Sequence, residues 1–212
     1  MNQLKLFPGP SVPEKIKSSP ANIITTTGFN QQEILKNILF LYNKNSPVHL
    51  DATYNKGSIW KKIPAPGIKS DLFPLQGNTF PADSRKMPFK NNSLKSVFFD
   101  PPFMADARGA KMAERYTFFE NYSQLKDMYK ASLVEIHRTL KRWGILIFKC
   151  QDQSHDHKNE FLHVFIINRA RELGFKMKDL FISINENFIK QWNLIKQEHA
   201  KKTHCYFLVF QK

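Results

Sequence analysis

Asp100-Pro101-Pro102-Phe103 closes an all-apolar run, Val97-Phe98-Phe99, and opens a polar stretch rich in bases and aromatics. An acid held this way suits one demanding kind of chemistry. The exocyclic amino nitrogen of adenine or cytosine is a poor nucleophile, because its lone pair is delocalised into the ring. A carboxylate and a backbone carbonyl that accept its two N–H bonds hold that nitrogen toward tetrahedral geometry, and a charged acceptor is the stronger kind. The same acceptors stabilise the positive charge that develops on the attacking nitrogen. Pro101 and Pro102 each fix φ and remove a donor, and each biases the residue before it toward extended backbone. A stiff bend with carbonyls turned to a pocket is expected. Phe103 would stack on a base swung out of its helix. An ordinary Asp-Pro turn is the alternative; the apolar strand before the motif and the basic loop after it favour the chemical role.

Three other acids end short apolar runs. Val48-His49-Leu50 leads to Asp51, Ile68 to Leu72 contains Asp71, and Thr79 to Ala82 leads to Asp83. One such Asp is usually a turn former or a cap. Four in succession, with Asp100, predict a shared pocket beyond the carboxyl ends of parallel strands. Asp71 follows Asp51 by about 20 positions, the spacing a ribose-binding acid takes in a nucleotide-binding α/β unit.

Downstream of the motif, Arg108, Lys111, Arg115 and Tyr116 alternate with Phe118, Phe119 and Tyr122. Bases interleaved with aromatics suit an unpaired nucleic-acid strand, through phosphate contact and stacking, and a lid over the pocket is compatible with that role. His155-Asp156-His157 lacks a third ligand at a usual metal spacing and is expected to be a surface loop. His199 and His204 flank Lys201-Lys202 on an expected solvated face. The chain contains neither a phosphate-cradling Gly-x-x-x-x-Gly-Lys-Ser/Thr loop nor a Gly-x-Ser-x-Gly elbow.

The elements that position these residues follow from periodicity. Gln31 to Tyr42 repeats apolar residues at a helical interval, as do Gln124 to Leu140 and Phe161 to Leu173. Lys141-Arg142-Trp143-Gly144 stops the second of these helices, with Gly144 as its expected left-handed cap. Gly174 ends the third. Ile145 to Cys150, Leu180 to Ile184 and Tyr206 to Phe210 are expected strands, the last two paired in a terminal hairpin. Strands alternating with helices predict a largely parallel α/β sheet. Residues 1–21, with four prolines, are expected to form an extended arm, and residues 22–212 a single domain.

Composition bounds the partners. The 212 residues are 42% hydrophobic, which fits a packed core, and carry 32 Lys and Arg against 18 Asp and Glu, a formal charge of +14. That surplus favours a polyanion over a neutral ligand, because each phosphate contact releases counterions. No run of about 18 apolar residues is present, so no membrane span is expected. The N-terminus is too polar and too Pro-rich for a signal peptide. Cys150 and Cys205 sit in apolar runs and are expected to be buried free thiols in a reducing cytoplasm.

Asp100 to Phe103 resembles the Asp/Asn/Ser-Pro-Pro-aromatic motif of the class I amino-methyltransferases that modify exocyclic nitrogens, the adenine-N6 group above all. Leu50 to Gly57 is similar to that family's first strand and cofactor loop, and Asp83 to Phe89 to its acid-and-turn segment. The helix, Gly144 and strand after the motif match as well. The resemblance implies a Rossmann-like fold with a mostly parallel seven-stranded sheet and a C-terminal antiparallel hairpin. It implies S-adenosylmethionine as cofactor, held by Asp51, Ala52, Thr53, Tyr54, Gly57, Asp71, Asp83, Ser84 and Asp100. Within that set Asp83 would accept from the adenine amino group of the donor. Catalysis would rest on Asp100, Pro101, Pro102 and Phe103, with nucleic acid bound by Arg108, Lys111, Arg115 and Tyr116. The family's cofactor loop is usually Gly-rich, whereas here only Gly57 remains. Adenine N6 in DNA is the expected target. RNA base methylation, an inactive nucleic-acid-binding subunit and methylation of a protein amide are the alternatives. With no separate target-recognition domain in view, a partner subunit is compatible with the sequence.

Overall fold

The computed structural model describes residues 23–105, 119–155, 158–185 and 199–212. The arm expected over residues 1–21 lies outside them. So do Arg108, Lys111, Arg115 and Tyr116.

The sheet strands in chain order are β1 (Thr27–Gly28), β2 (Leu50–Asp51), β3 (Ile68–Asp71), β4 (Phe80–Pro81), β5 (Leu94–Phe99), β6 (Leu140–Cys150), β9 (Lys176–Ile184) and β10 (His204–Gln211). A two-stranded ribbon, β7 (Gln153–His155) with β8 (Lys158–Glu160), follows β6. The expected loop at His155 thus begins within a strand. The main sheet runs β1-β9-β10-β6-β5-β2-β3-β4, with β10 alone antiparallel to its neighbours. This is the expected Rossmann-like architecture with its reversed terminal strand. An eighth strand, β1, is added at one edge by parallel pairing of Thr27 and Gly28 with Ile182 and Ser183.

Alternation sorts the strand residues into two layers. Phe98, Ile145, Ile147, Phe207 and Val209 face α1 (Gln31–Tyr42), whose Ile34, Leu35, Ile38 and Leu39 complete that cluster. Val97, Phe99, Leu146, Phe148, Leu208 and Phe210 face α2 (Tyr122–Thr139) and α3 (Leu162–Glu172), packing on Leu125, Tyr129, Leu133, Ile136, Leu162 and Ile166. The first two helices start at capping side chains. Asn30 accepts from the backbone N–H groups of Gln32 and Glu33, and Asn121 from that of Gln124. Gly174, at φ 94°, follows α3.

One cap differs from expectation. α2 passes at Leu140 straight into β6, and the left-handed residue is Trp143, at φ 65°, not Gly144. Gly144 is needed for space: a Cβ there would lie 2.8 Å from the Lys141 carbonyl oxygen. Both cysteines are buried and free. Among the described residues no helix is long and apolar enough to cross a membrane.

Candidate active site

Four parallel strands, β4, β3, β2 and β5, end side by side, and the residues that follow them build one pocket. It holds about 780 Å³ of empty space, open to solvent, at the place where open α/β sheets bind small ligands. Of the residues expected from sequence it gathers Ala52, Thr53, Asp71, Asp83, Ser84, Asp100, Pro101 and Pro102. Asn55, Arg85, Phe99 and Met128 also line it, as does the apolar group Leu72, Phe73 and Leu75.

Asp51 lies beneath this pocket and does not line it. The residue is 1% exposed. Its Oδ1 accepts from the Thr53 N–H at 2.9 Å and its Oδ2 from the Trp60 indole N–H at 2.7 Å. Burial pushes its carboxyl up to about 7. The two N–H bonds oppose that rise, and the nearby charges of Asp100 and Asp71 add to it. Asp51 therefore folds the loop: it fixes Thr53, and the Thr53 hydroxyl in turn accepts the Asp100 N–H at 2.8 Å. Gly57, at φ 64°, has no space for a Cβ because the Tyr54 ring packs on it. Tyr54 and Gly57 thus shape the loop from behind the pocket wall.

Asp71 holds the next stretch of wall, with Oδ2 accepting from the Asn55 N–H at 2.8 Å and Oδ1 from the Phe73 N–H at 2.9 Å. Asp83 is gripped by Arg85. Its Oδ1 accepts the Arg85 Nε–H at 2.9 Å, and its Oδ2 lies 2.6 Å from a terminal guanidinium nitrogen. That bidentate pair holds the Asp83 carboxyl below its ordinary value. Ser84 meets Ser132 of α2, hydroxyl to hydroxyl, at 2.9 Å.

Asp100 begins the motif at the end of β5. Its Oδ2 accepts from the Lys149 ammonium at 2.8 Å, and the Lys149 side chain is only 11% exposed. The Pro102 carbonyl does not face the pocket as expected, because it accepts the Tyr129 hydroxyl of α2 at 2.6 Å. Phe103 is partly buried, packs on the larger core cluster and does not line the pocket. Sequence reasoning missed Lys149, Trp60 and Tyr129. Lys149 carried a signal, since β5 and β6 end in register with an acid and a base, Phe99 opposite Phe148. Tyr129 and Met128 read only as helix face. Among the described residues no group of three His, Cys, Asp or Glu side chains is placed to hold a metal ion.

No protein-family model matches the chain, and no curated protein matches it. Solved structures do. A complex between the Haloferax volcanii Trm112 methyltransferase activator and a candidate methyltransferase matches with a TM-score of 0.54 and 12% identity, over 86% of this chain and 89% of that one. The [4+2]-cyclase SpnF matches with a TM-score of 0.51 and 11% identity, over 85% and 80%. TTHA0409 of Thermus thermophilus, a candidate DNA modification methylase solved with S-adenosyl-L-methionine, matches with a TM-score of 0.46 and 22% identity, over 62% of this chain. This chain spans about half of that protein, 53%. The fold is that of the Rossmann-like methyltransferases. A cyclase shares it, so the fold by itself does not fix the reaction.

Proposed function

We propose that the protein is an S-adenosylmethionine-dependent methyltransferase acting on an exocyclic amino nitrogen of a nucleic-acid base, with adenine N6 in DNA as the first target. One observation carries this: Asp100, at the carboxyl end of a central strand, lines the pocket with its backbone N–H fixed by Thr53 and one carboxylate oxygen fixed by Lys149. The other oxygen would accept an N–H of the incoming amino group.

S-adenosylmethionine fits the groups that line this pocket. The Asp71 carboxylate keeps lone pairs for ribose hydroxyls beyond the two it gives to Asn55 and Phe73. Leu72, Phe73 and Leu75 form an apolar wall against which a purine would lie. Asp83, now held by Arg85, would reach the purine amino group if Arg85 turned aside, and neighbouring Ser84 would supply a hydroxyl. Thr53 and Asn55 edge the loop on the donor side. When bound, the cofactor supplies a methyl group on a sulfonium leaving group.

The chain's own residues then act on the acceptor. Asp100 and the Pro101 carbonyl accept the two amino N–H bonds and hold the nitrogen in line with the donor, so positioning supplies much of the rate. Stacking of Phe103 on the base would require it to leave its packing on the core cluster. The surplus of positive charge favours the polyanionic partner. The pocket residues read a base and not a base sequence; a small recognition site, a partner subunit or a structured RNA would set the target.

The test is Asp100→Ala. Methyl transfer is expected to disappear while donor binding, read from the rise in Tm with added S-adenosylmethionine, stays near wild type; saturation at 100 Kd adds about 2.7 kcal/mol of stability. Turnover at the wild-type rate would overturn the proposal.

A further inference from the structure

The amino end of the sheet carries a feature that the pocket does not use. β5 and β6 pair Leu94 with Leu140 and then Ser96 with Ile145, so residues 141–144 loop out of β6 against Lys95. This loop is fixed. The Trp143 N–H donates to the Lys212 carbonyl at 2.8 Å, and the Lys212 N–H donates to the Gly144 carbonyl at 3.0 Å. Trp143 has φ 65°, in the left-handed region that bulky side chains seldom adopt. Packing does not offset that strain, because the indole is 56% exposed.

Two cations lie over the ring. The Arg142 guanidinium lies 4.9 Å from its centroid and the Lys176 ammonium 5.9 Å. Lys95 abuts the loop, its carbonyl oxygen 3.2 Å from where a Gly144 Cβ would stand. Lys95 and Lys141 also share an edge: after burial, their charges are what hold His49 below its ordinary pKa. All four cations are exposed, and among the described residues none forms an ion pair with a carboxylate. Strained backbone persists where the surroundings over-determine it and where the displayed group has work to do. An exposed indole with unneutralised cations over and beside it matches a base and its flanking phosphates.

We propose that Trp143, with Lys95, Lys141, Arg142 and Lys176, forms a second nucleic-acid contact that stacks on an unpaired base and holds the adjoining phosphates. It rests on the proposed function, in that the partner is nucleic acid. The extended stretch from Ile145 to Lys149 alone separates it from the Asp100 end of the sheet by about 13 Å, at about 3.3 Å per residue, and so it engages a part of the substrate away from the reacting base.

The test uses fluorescence anisotropy of labelled single-stranded DNA and RNA of one sequence with the full chain. Trp143→Ala and Trp143→Gly are expected to weaken binding about tenfold, and Trp143→Phe to retain most of it. Arg142→Ala with Lys176→Ala is expected to reduce the slope of log affinity against log salt by about 1.4, at roughly 0.7 per contact. Preference for either polymer supports the contact and identifies its source. Because glycine accepts the left-handed backbone freely, Trp143→Gly is expected to keep or raise Tm. A large drop in Tm would assign the ring a packing role and overturn the inference. Unchanged binding by Trp143→Ala, with wild type binding well, overturns it too and leaves the proposed function standing. A wild-type chain that binds neither polymer overturns both.

Discussion

The Lys149 ammonium lies 2.8 Å from Oδ2 of Asp100, bridging the ends of two neighbouring parallel strands. Under the proposed function, this contact leaves the second carboxylate oxygen for the substrate and sets the angle at which it is presented. Lys149 is thus a positioning residue for the acid. Lys149→Met is expected to lower kcat by on the order of 10²-fold, the cost of a small misplacement, with little change in donor binding. Lys149→Arg, which keeps the charge, is expected to recover part of the loss. Steady-state kinetics beside donor titration checks this, and an unchanged kcat in Lys149→Met would remove Lys149 from the account.

Asp51 makes stability depend on pH in an unusual direction. Burial raises its carboxyl to about 7, whereas an unfolded Asp titrates near 3.9. Between those values the folded chain binds the extra proton, so this group's contribution is fully present below about pH 4 and is lost as pH rises to about 7. Urea midpoints at pH 5 and pH 8 should therefore differ more in wild type than in Asp51→Asn. Equal differences would show that Asp51 does not titrate in this window.

Tyr129 ties the motif to α2. It is fully buried, and its hydroxyl holds the Pro102 carbonyl. Tyr129→Phe leaves that carbonyl without its donor and should cost about 1–3 kcal/mol of stability. Transfer should fall further than donor binding does, because the bend that carries Asp100 is what loosens. Thermal unfolding and kinetics on the same preparation separate the two effects.

Gly57 tests the glycine-poor loop. Its φ of 64° and the Tyr54 ring on its Cβ side both exclude a side chain. Gly57→Ala is expected to lose about 1–2 kcal/mol from the left-handed backbone alone and to weaken donor binding. Tyr54→Ala in the same chain should relieve the contact but not the backbone strain. Complete recovery in that double variant would contradict the assignment.

Much of this site was legible in the sequence, for definable reasons. Asp100 stood out because two prolines follow it and an apolar strand precedes it. Asp71 and Asp83 stood out because each closes a short strand, and both line the pocket. The three helices followed from their apolar spacing, and Gly174 marked the end of the third. What escaped depends on tertiary register. Lys149 was one lysine after an apolar run until β6 lay beside β5. Trp60 was a loop residue until Asp51 was buried beneath it. β1 is two residues long and owes its existence to the β9 edge, so no local pattern marks it. Trp143 in left-handed backbone runs against local preference, and Gly144 drew the cap assignment because glycine is the usual occupant.

The most direct test is transfer of labelled methyl from S-adenosylmethionine to unmodified genomic DNA and total RNA in parallel, with nucleoside analysis of the products. Label recovered as N6-methyladenine in DNA, and absent with Asp100→Ala, is the predicted result. Label confined to RNA would move the target to the other polymer. No label in either, from a chain that binds the donor, would contradict the assignment of Asp100 to a nucleic-acid base.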